Sequence, residues 1–126
     1  MCVNKILIVD DEEHIRSLLD SYLSKQGFET YQAKDGNEAA EMVAQQKPDL
    51  IFLDIQLPGM NGVEILKMVK KLNPDIAVIM ISGNATEDTA KQTLEIGAFD
   101  YIKKPVDLDK VSEVICCVEL LNMAID

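Results

Sequence analysis

The stretch Ile6–Glu12, with the sequence ILIVDDE, decides the fold of this chain. Its first four residues are apolar and too few for a helix, so they predict a β-strand that is buried on both faces. The strand ends at Asp10 and Asp11. Apolar residues with helical spacing follow as far as Gly27: Ile15, Leu18, Leu19, Tyr22 and Leu23. A buried strand that leads directly into an amphipathic helix is the opening unit of an α/β sheet.

The same alternation repeats along the rest of the sequence. Further strands are predicted at residues 28–33, 50–53, 77–81 and 100–102, and further helices at 37–46, 63–72, 87–96 and from 107 onward. No spacer resembles a flexible linker, so residues 1–126 are expected to form one doubly wound α/β domain. The first, third and fourth strands are the most apolar and are expected at the centre of a five-stranded parallel sheet, with five helices on both faces. Right-handed crossovers then favour the flavodoxin-like strand order 2-1-3-4-5.

The composition limits the possible partners. The chain has 126 residues with 22 acidic and 12 basic side chains, and its net charge is −10. This charge repels phosphate backbones and anionic lipids, so direct binding to nucleic acid or to a membrane is not expected. No apolar stretch approaches the ~20 residues of a membrane span, and no secretory signal begins the sequence, which favours a cytoplasmic protein. The three cysteines, Cys2, Cys116 and Cys117, are expected to be reduced thiols rather than metal ligands.

Polar residues stand where four of the predicted strands end: Asp10 and Asp11, Asp54, Ser82, and Lys104. In a doubly wound sheet all of these positions lie on the rim where ligands bind. Three carboxylates crowded on that rim raise the pKa of at least one of them, unless a divalent cation such as Mg²⁺ is shared among them. A hydroxyl and an ammonium group beside them can bind phosphoryl oxygens, as a carboxylate that becomes phosphorylated requires.

Three motifs contain these residues: ILIVDDE at 6–12, LIFLDIQLPGMNGVEIL at 50–66 and MISGNATEDTAKQTLEIGAFDYIKKP at 80–105. With the strand–helix alternation between them, the whole chain resembles the receiver domain of two-component response regulators. The resemblance implies the same strand order and a phosphorylation-activated signalling switch. Such a switch accepts a phosphoryl group from a histidine kinase or a histidine phosphotransfer protein and controls a downstream effector protein. It assists its own phosphorylation and dephosphorylation but is not an enzyme with an external substrate.

The resemblance assigns the acceptor and the metal ligands. Asp54 matches the phosphoacceptor aspartate of the family. Asp10 and Asp11 match the acidic pair that holds Mg²⁺ together with Asp54. The backbone carbonyl of Gln56 is expected to complete the protein ligands of that ion.

The resemblance also assigns residues to the switching step. Ser82 and Lys104 match the residues that contact the phosphoryl oxygens, and Tyr101 matches the aromatic switch residue. Phosphorylation is expected to draw Ser82 inward, so that Tyr101 rotates into the vacated space and reshapes the surface of helix four, strand five and helix five. The peptide bond before Pro105 is expected to be cis. Ser82 stands where threonine is commoner in the family, and phosphorylation is still expected.

Other functions use similar residues. The chain could be an intermediate in a multistep phosphorelay, which receives the phosphoryl group and passes it on. A magnesium-dependent phosphatase of the haloacid dehalogenase type also has an aspartyl nucleophile, but it needs a second acid two residues later, where this chain has Gln56. A receiver-like interaction module that is not phosphorylated would lack one of the acids or the lysine, and the full set is present here.

The fifth helix has more apolar residues than one buried stripe requires. The stripe that faces the core is expected to contain Val111, Val114, Val118 and Leu121. Three other apolar residues are expected at its margin or outside it: Cys117, Leu120 and Ala124. Exposed apolar surface of this kind usually marks a partner surface, although a frayed helix end or a covering segment would also explain it. A homodimer or a docked partner that uses this helix, and strengthens when Asp54 is phosphorylated, is therefore expected.

Two groups of residues are expected to have structural roles only. Four lysines are expected to be solvated on the surface: Lys67, Lys70, Lys71 and Lys103. Gly59 and Gly62, in the segment PGMNG, are expected to adopt positive φ angles in a turn after Asp54.

Overall fold

The computed structural model describes residues 2–83 and 87–125, in which five strands alternate with five helices. They are β1 (Lys5–Val9), α1 (Glu13–Lys25), β2 (Glu29–Ala33), α2 (Gly36–Gln46), β3 (Leu50–Asp54), α3 (Gly62–Leu72), β4 (Ala77–Ser82), α4 (Glu87–Ile96), β5 (Asp100–Lys103) and α5 (Leu108–Ile125). Every predicted element is confirmed, and the boundaries that differ do so by a single residue.

The strands form one parallel sheet in the order β2-β1-β3-β4-β5. The predicted doubly wound α/β fold and its strand order are therefore confirmed. β1, β3 and β4 are buried almost throughout, whereas the edge strands β2 and β5 are partly exposed. Central strands of such a sheet are covered by helices on both faces, which explains why their sequences are continuous apolar runs rather than alternating ones.

The sheet divides the apolar core into two clusters. Leu7 and Val9 point to one face and pack with residues of α2 and α3. Ile6 and Ile8 point to the opposite face and pack with residues of α1 and α5. Successive side chains of a strand alternate between faces, so each central strand contributes to both clusters.

The strand register brings the carboxyl ends of the strands to one level. The residue pairs near these ends are Val9 with Leu53, Asp54 with Ile81, and Ser82 with Lys103. Asp10 and Lys104, which follow β1 and β5, therefore leave the sheet at the same edge as Asp54 and Ser82. This edge is where the sequence predicted that the polar residues would meet.

The burial predicted for the residues of α5 is confirmed in part. Val111, Val114 and Val118 are buried, and Cys117 and Leu120 are exposed, as expected. Leu121, which was assigned to the buried stripe, is 50% exposed. The stripe includes Ile115 and, among the described residues, ends at Val118, so Leu121 lies beyond the part of the helix that the core covers. The side chain of Ala124 lies outside the described residues.

Two surface assignments also differ from the prediction. Leu18, which was placed on the buried face of α1, is 42% exposed. Lys70 is not freely solvated, because its Nζ donates to the carbonyl oxygens of Pro74 at 3.2 Å and Ile76 at 2.6 Å. Burial lowers the pKa of Lys70, and the nearby charge of Asp75 opposes this effect. Among the described residues, no helix has the length and the apolar character that a membrane crossing requires.

Candidate functional site

Three carboxylates lie together at the carboxyl edge of the sheet. Asp10 follows β1 and is fully buried, Asp54 ends β3 and is 3% exposed, and Asp11 is exposed to solvent. One oxygen from each of them lies within 4.8 Å of the others. The structure thus brings together the three acids that the sequence predicted at this position.

Backbone amides hold the two buried carboxylates in place. The amide of Glu12 donates to Oδ1 of Asp10 at 2.9 Å, and the amide of Gln56 donates to Oδ1 of Asp54 at 2.9 Å. Each amide lies two residues after the acid that it contacts, which is the geometry of an Asx turn. The second oxygen of each carboxylate is left to face the other acids.

Lys104, the residue that follows β5, reaches these second oxygens. Its Nζ lies 3.0 Å from Oδ2 of Asp54, 3.1 Å from Oδ2 of Asp10 and 3.5 Å from Oε2 of Glu12. Its backbone amide donates to the carbonyl of Ser82 at 2.7 Å, which fixes the start of the side chain beside β4. The peptide bond between Lys104 and Pro105 is cis, as the resemblance implied.

The charges of the site change the pKa values of two of its groups. Burial raises the pKa of Asp10, the Glu12 amide opposes this, and the negative charge of Asp54 adds to the increase. Burial is thus a larger cause of the raised pKa of Asp10 than the crowding of the acids on which the sequence argument depended. Burial alone would lower the pKa of Lys104, but its contacts with Asp54 and Asp10 raise it well above the ordinary value. Lys104 is therefore a permanent positive charge at physiological pH.

The donor set fits a hard divalent cation. Oδ2 of Asp10 is completely buried, and its charge is compensated by the ion pair with Lys104 Nζ at 3.1 Å. Two buried carboxylates share this one ammonium, so a divalent cation would supply positive charge that Lys104 alone does not. Asp11 and Asp54 offer oxygens within the same small volume. Oxygen ligands of this kind are those that Mg²⁺ prefers.

A cleft of about 750 Å³ opens above the acids. Its walls include Asp11, Asp54, Gln56, Gly83 and Lys104. A Cβ atom on Gly83 would lie 3.7 Å from the Cδ of Lys104, an ordinary contact that would leave the lysine side chain in place. The cleft gives a small anionic group direct access to Asp54.

Gly62 controls how closely α3 approaches the end of β3. A Cβ atom on Gly62 would lie 2.6 Å from the carbonyl oxygen of Asp54 and 2.6 Å from Cα of Ile55. The amide of Gly62 donates to the carbonyl of Ile55 at 2.6 Å. Gly59 has the predicted positive φ of 79°, but the same prediction for Gly62 is wrong. Close backbone packing, and not an unusual φ angle, is what requires glycine at position 62.

Ser82 and Tyr101 lie on the neighbouring strands β4 and β5. Ser82 ends β4 and is 3% exposed. Tyr101, in β5, is half-buried and packs against the cluster that contains the residues of α2 and α3. Their assigned parts in switching stay predictions.

Comparison with known proteins shows the family. Residues 6–116 match the model of the family described as "Response regulator receiver domain". The chain belongs to this family. Sporulation initiation phosphotransferase F of Bacillus subtilis (strain 168) is 39% identical over 115 residues, which cover 91% of this chain and 93% of that protein. Regulatory protein AtoC of Escherichia coli (strain K12) is 39% identical over 113 residues, and the match covers 90% of this chain but only 24% of AtoC.

Solved receiver structures have the same fold. The receiver domain of NtrX from Brucella abortus superposes with a TM-score of 0.85 at 39% identity, covering 90% of this chain and 96% of that chain. A response regulator receiver domain protein from Clostridium thermocellum superposes with a TM-score of 0.91 at 28% identity, covering 98% of this chain and 100% of that chain.

Membership of the family establishes the general role. Receiver domains of two-component response regulators are phosphorylation-dependent signalling switches rather than enzymes in the usual sense. They partner with histidine kinases or phosphotransfer proteins, occur fused to effector domains, and bind Mg²⁺ at an acidic pocket. In this chain, Asp10, Asp11 and Asp54 form a cluster of acids.

Two residues of this receiver domain were not assigned from the sequence. Glu12 places its carboxylate 3.5 Å from Lys104 Nζ. Arg16 donates from Nη1 to the backbone carbonyl of Asp10 at 2.8 Å. Arg16 is the single arginine among the twelve basic residues, and this unusual composition was the signal available in the sequence.

Proposed function

We propose that Asp54 accepts a phosphoryl group from the phosphohistidine of a histidine kinase or a histidine phosphotransfer protein. The observation that supports this most directly is the position of Asp54 Oδ2, at the cleft and 3.0 Å from Lys104 Nζ. An oxygen of Asp54 forms a bond to phosphorus, the bond from phosphorus to the histidine nitrogen breaks, and the imidazole leaves. Water later cleaves the acyl phosphate and restores the carboxylate.

The residues of the chain prepare this transfer. The amide of Gln56 fixes Oδ1 of Asp54, so the carboxylate cannot rotate away from the cleft. Lys104, held in its charged form, offsets negative charge on the transferring group. Asp10, Asp11, Asp54 and the backbone carbonyl of Gln56 would hold Mg²⁺, which when bound supplies positive charge to the phosphoryl oxygens.

Phosphorylation of Asp54 would change the surface of the protein beyond β4. Lys104 changes its partner from a carboxylate to a phosphoryl oxygen, and Ser82 is drawn towards the same group. Tyr101 then turns into the space beside Ser82, and the surface of α4, β5 and α5 changes shape. A downstream effector protein that binds this surface would distinguish the two forms.

Acetyl phosphate tests the acceptor without a kinase. With Mg²⁺ present, the mass of the intact protein should rise by one phosphoryl group, and Asp54→Asn should abolish the rise. Asp75→Asn is the matched control, because Asp75 is an exposed acid at the opposite edge of the sheet. Labelling of Asp54→Asn to the wild-type level would contradict the assignment.

The metal ligands are tested through the magnesium requirement. Asp11→Ala should raise the Mg²⁺ concentration for half-maximal labelling by about tenfold or more, because it removes an oxygen ligand. Asp75→Asn again serves as the control. An unchanged Mg²⁺ requirement in Asp11→Ala would contradict the proposed site.

A phosphorelay intermediate is the second candidate. It is favoured by the likeness to Sporulation initiation phosphotransferase F, a protein of nearly the same length as this match. A relay member would return its phosphoryl group to the histidine of an added phosphotransfer domain faster than water removes it. If the phosphoryl group is lost only to water, the protein is a terminal switch and not a relay intermediate. A phosphatase activity is not expected, and release of phosphate from an added phosphomonoester in repeated turnovers would contradict the switch.

We also propose that the exposed face of α5 is a partner surface, in a homodimer or with another protein. Leu120 is 60% exposed and Leu121 is 50% exposed, next to the exposed side chains of Cys116 and Cys117. The net charge of −10 favours protein partners over nucleic acid or a membrane surface. Sedimentation of the unmodified and phosphorylated forms should show stronger association after phosphorylation, and Leu120→Glu should weaken it. A monomer in both forms, with unchanged partner binding by Leu120→Glu, would contradict this proposal.

A further inference from the structure

Arg16 connects helix α1 to the loop that carries the acidic pair. Its Nη1 donates to the backbone carbonyl of Asp10 at 2.8 Å, a contact that is partly buried. Its Nε donates to the side-chain oxygen of Gln32, in β2, at 3.2 Å. The planar guanidinium presents several donors in a fixed arrangement, so a single side chain can join these two groups.

The contact with Gln32 extends into a wider polar network between α1 and β2. Gln32 Nε2 donates to Oδ2 of Asp20 at 2.7 Å. The hydroxyls of Ser24 and Thr30 each donate to Oδ1 of Asp20 at 3.0 Å. The position of Arg16 is therefore set by residues on two secondary-structure elements.

The carbonyl of Asp10 needs such a partner. It lies beyond the end of β1 and before the start of α1, where neither the sheet nor the helix supplies a donor. The amide of Asp10 donates to the carbonyl of Ala33 at 3.1 Å, and its Oδ1 accepts from Glu12. With the contact from Arg16, every polar group of Asp10 except Oδ2 is engaged in a hydrogen bond.

From this geometry we infer that Arg16 is a positioning residue for the divalent-cation site. It holds the backbone of the loop so that the carboxylate of Asp10 stays within reach of those of Asp11 and Asp54. The inference rests on the proposed function, since it assumes that Asp10, Asp11 and Asp54 hold Mg²⁺. Arg16 itself touches neither the ion nor the phosphoryl group.

If Arg16 acted only through its positive charge, its removal would change the Mg²⁺ affinity in the opposite direction. A positive guanidinium near the site repels Mg²⁺, so a role through charge would make Arg16→Ala bind Mg²⁺ more tightly. A positioning role makes the same variant bind Mg²⁺ more weakly, because the loop loses its fixed geometry. The sign of the change in affinity therefore separates the two explanations.

The experiment is a Mg²⁺ titration of the unphosphorylated protein by calorimetry, without any phosphoryl donor. Arg16→Ala should weaken binding by about tenfold, the lower end of the effect of groups that orient metal ligands. Arg16→Lys keeps one donor and the charge, and should restore most of the affinity. Gln32→Ala removes an exposed contact with Arg16 and should lower the Mg²⁺ affinity by about threefold. In a protein that already carries Arg16→Ala, Gln32→Ala should lower the affinity no further.

Lys25→Ala is the matched control, because it removes one positive charge from the exposed end of the same helix. It lies nine residues from Arg16, further than a Debye length at physiological salt, and should leave the affinity unchanged. Amide hydrogen exchange at Asp10 and Glu12, measured without Mg²⁺, should be faster in Arg16→Ala and unchanged in Lys25→Ala. This second readout does not depend on the metal.

Affinity in Arg16→Ala that rises, or that equals the wild-type value, would overturn the inference. So would normal Mg²⁺ affinity combined with impaired transfer from a kinase, which would make Arg16 a partner contact. If Arg16→Ala does not fold, Arg16→Lys and Gln32→Ala carry the same test with smaller expected changes. Failure of acetyl phosphate to label Asp54 would count against the proposed function but not against Arg16, whereas failure of the wild-type protein to bind Mg²⁺ would overturn both.

Discussion

Gly62→Ala tests the close approach of α3 to the phosphoacceptor strand. The added Cβ would lie 2.6 Å from the Asp54 carbonyl oxygen, whereas ordinary contacts begin at 3.4 Å, so the helix or the strand end must move by several tenths of an ångström. Overpacking of this kind costs about 1–3 kcal/mol, and the higher helix propensity of alanine offsets about 1 kcal/mol of it. Because the added Cβ would meet three backbone atoms within 2.9 Å, the upper end of the overpacking cost applies, and the expected net loss in the free energy of unfolding is about 2 kcal/mol. For a domain of this size the melting temperature should fall by roughly 6–10 °C.

Gly36→Ala is the matched control for this change. Gly36 begins α2 as Gly62 begins α3, and each follows a residue whose side chain caps the helix. An added Cβ at Gly36 would meet Sδ of Met60 at 2.8 Å, near the end of a flexible, partly exposed side chain, and the buried side chain of Ile65 at 3.3 Å. Because these neighbours are side chains and not backbone atoms, the loss in the free energy of unfolding should be about 1 kcal/mol or less.

Urea unfolding followed by circular dichroism measures both effects, and acetyl phosphate labelling measures the consequence for Asp54. Phosphorylation of Gly62→Ala by acetyl phosphate should slow by about tenfold or more, because even a small displacement of a reacting group lowers the reaction rate strongly. Labelling of Gly36→Ala should match the wild type. Equal stability of the two variants, together with normal labelling of Gly62→Ala, would refute the argument from close packing.

Three further predictions concern charged side chains. Lys104→Ala should leave phosphorylation measurable but reduce the amide NMR shifts that phosphorylation causes in α4, and full wild-type shifts would exclude its part in switching. Lys70→Ala should lower the free energy of unfolding by about 1–2 kcal/mol, because two carbonyls lose a charged donor, whereas the neighbouring exposed Lys71→Ala should change it by less than about 0.5 kcal/mol in the same urea titration. Because the fold raises the pKa of Asp10, the native chain holds a proton at pH values where the unfolded chain has lost it, and stability without Mg²⁺ falls as the pH rises above the ordinary value of 3.8. Asp10→Asn should therefore melt higher than the wild type at neutral pH without Mg²⁺, and a lower melting temperature would contradict this sign.

The fold and the central acids were predictable because each depends on local sequence. The run ILIV before Asp10 can only be a strand covered on both faces, and the corresponding run before Asp54 repeats the pattern. Once the strands are parallel, their ends must share an edge, so the meeting of Asp10, Asp54 and Lys104 follows from topology. No side-chain detail was needed for that step.

The rest depends on contacts between distant parts of the chain. Helical periodicity placed Leu121 in the buried stripe, but the sheet beneath α5 decides which residues are covered, and Ile115 is covered instead. Lys70 resembles its solvated neighbours in sequence, and only the path of the chain through Pro74 and Ile76 supplies the carbonyls that it binds. The link from Arg16 to Asp10 likewise requires the bend between β1 and α1.

The division of the core by the sheet has a consequence for how this protein can evolve. Substitutions in the cluster with α2 and α3 share no packed partners with those in the cluster with α1 and α5, because a continuous layer of strands separates them. Their effects on stability should therefore be additive. Apart from Arg16, whose contact with Asp10 ties α1 to the acidic loop, the apolar residues of the α1 and α5 layer can change to suit new binding partners. The opposite layer, which includes the helix packed against the end of β3, meanwhile keeps the geometry of the acceptor, so a new signalling specificity does not require a new chemical centre.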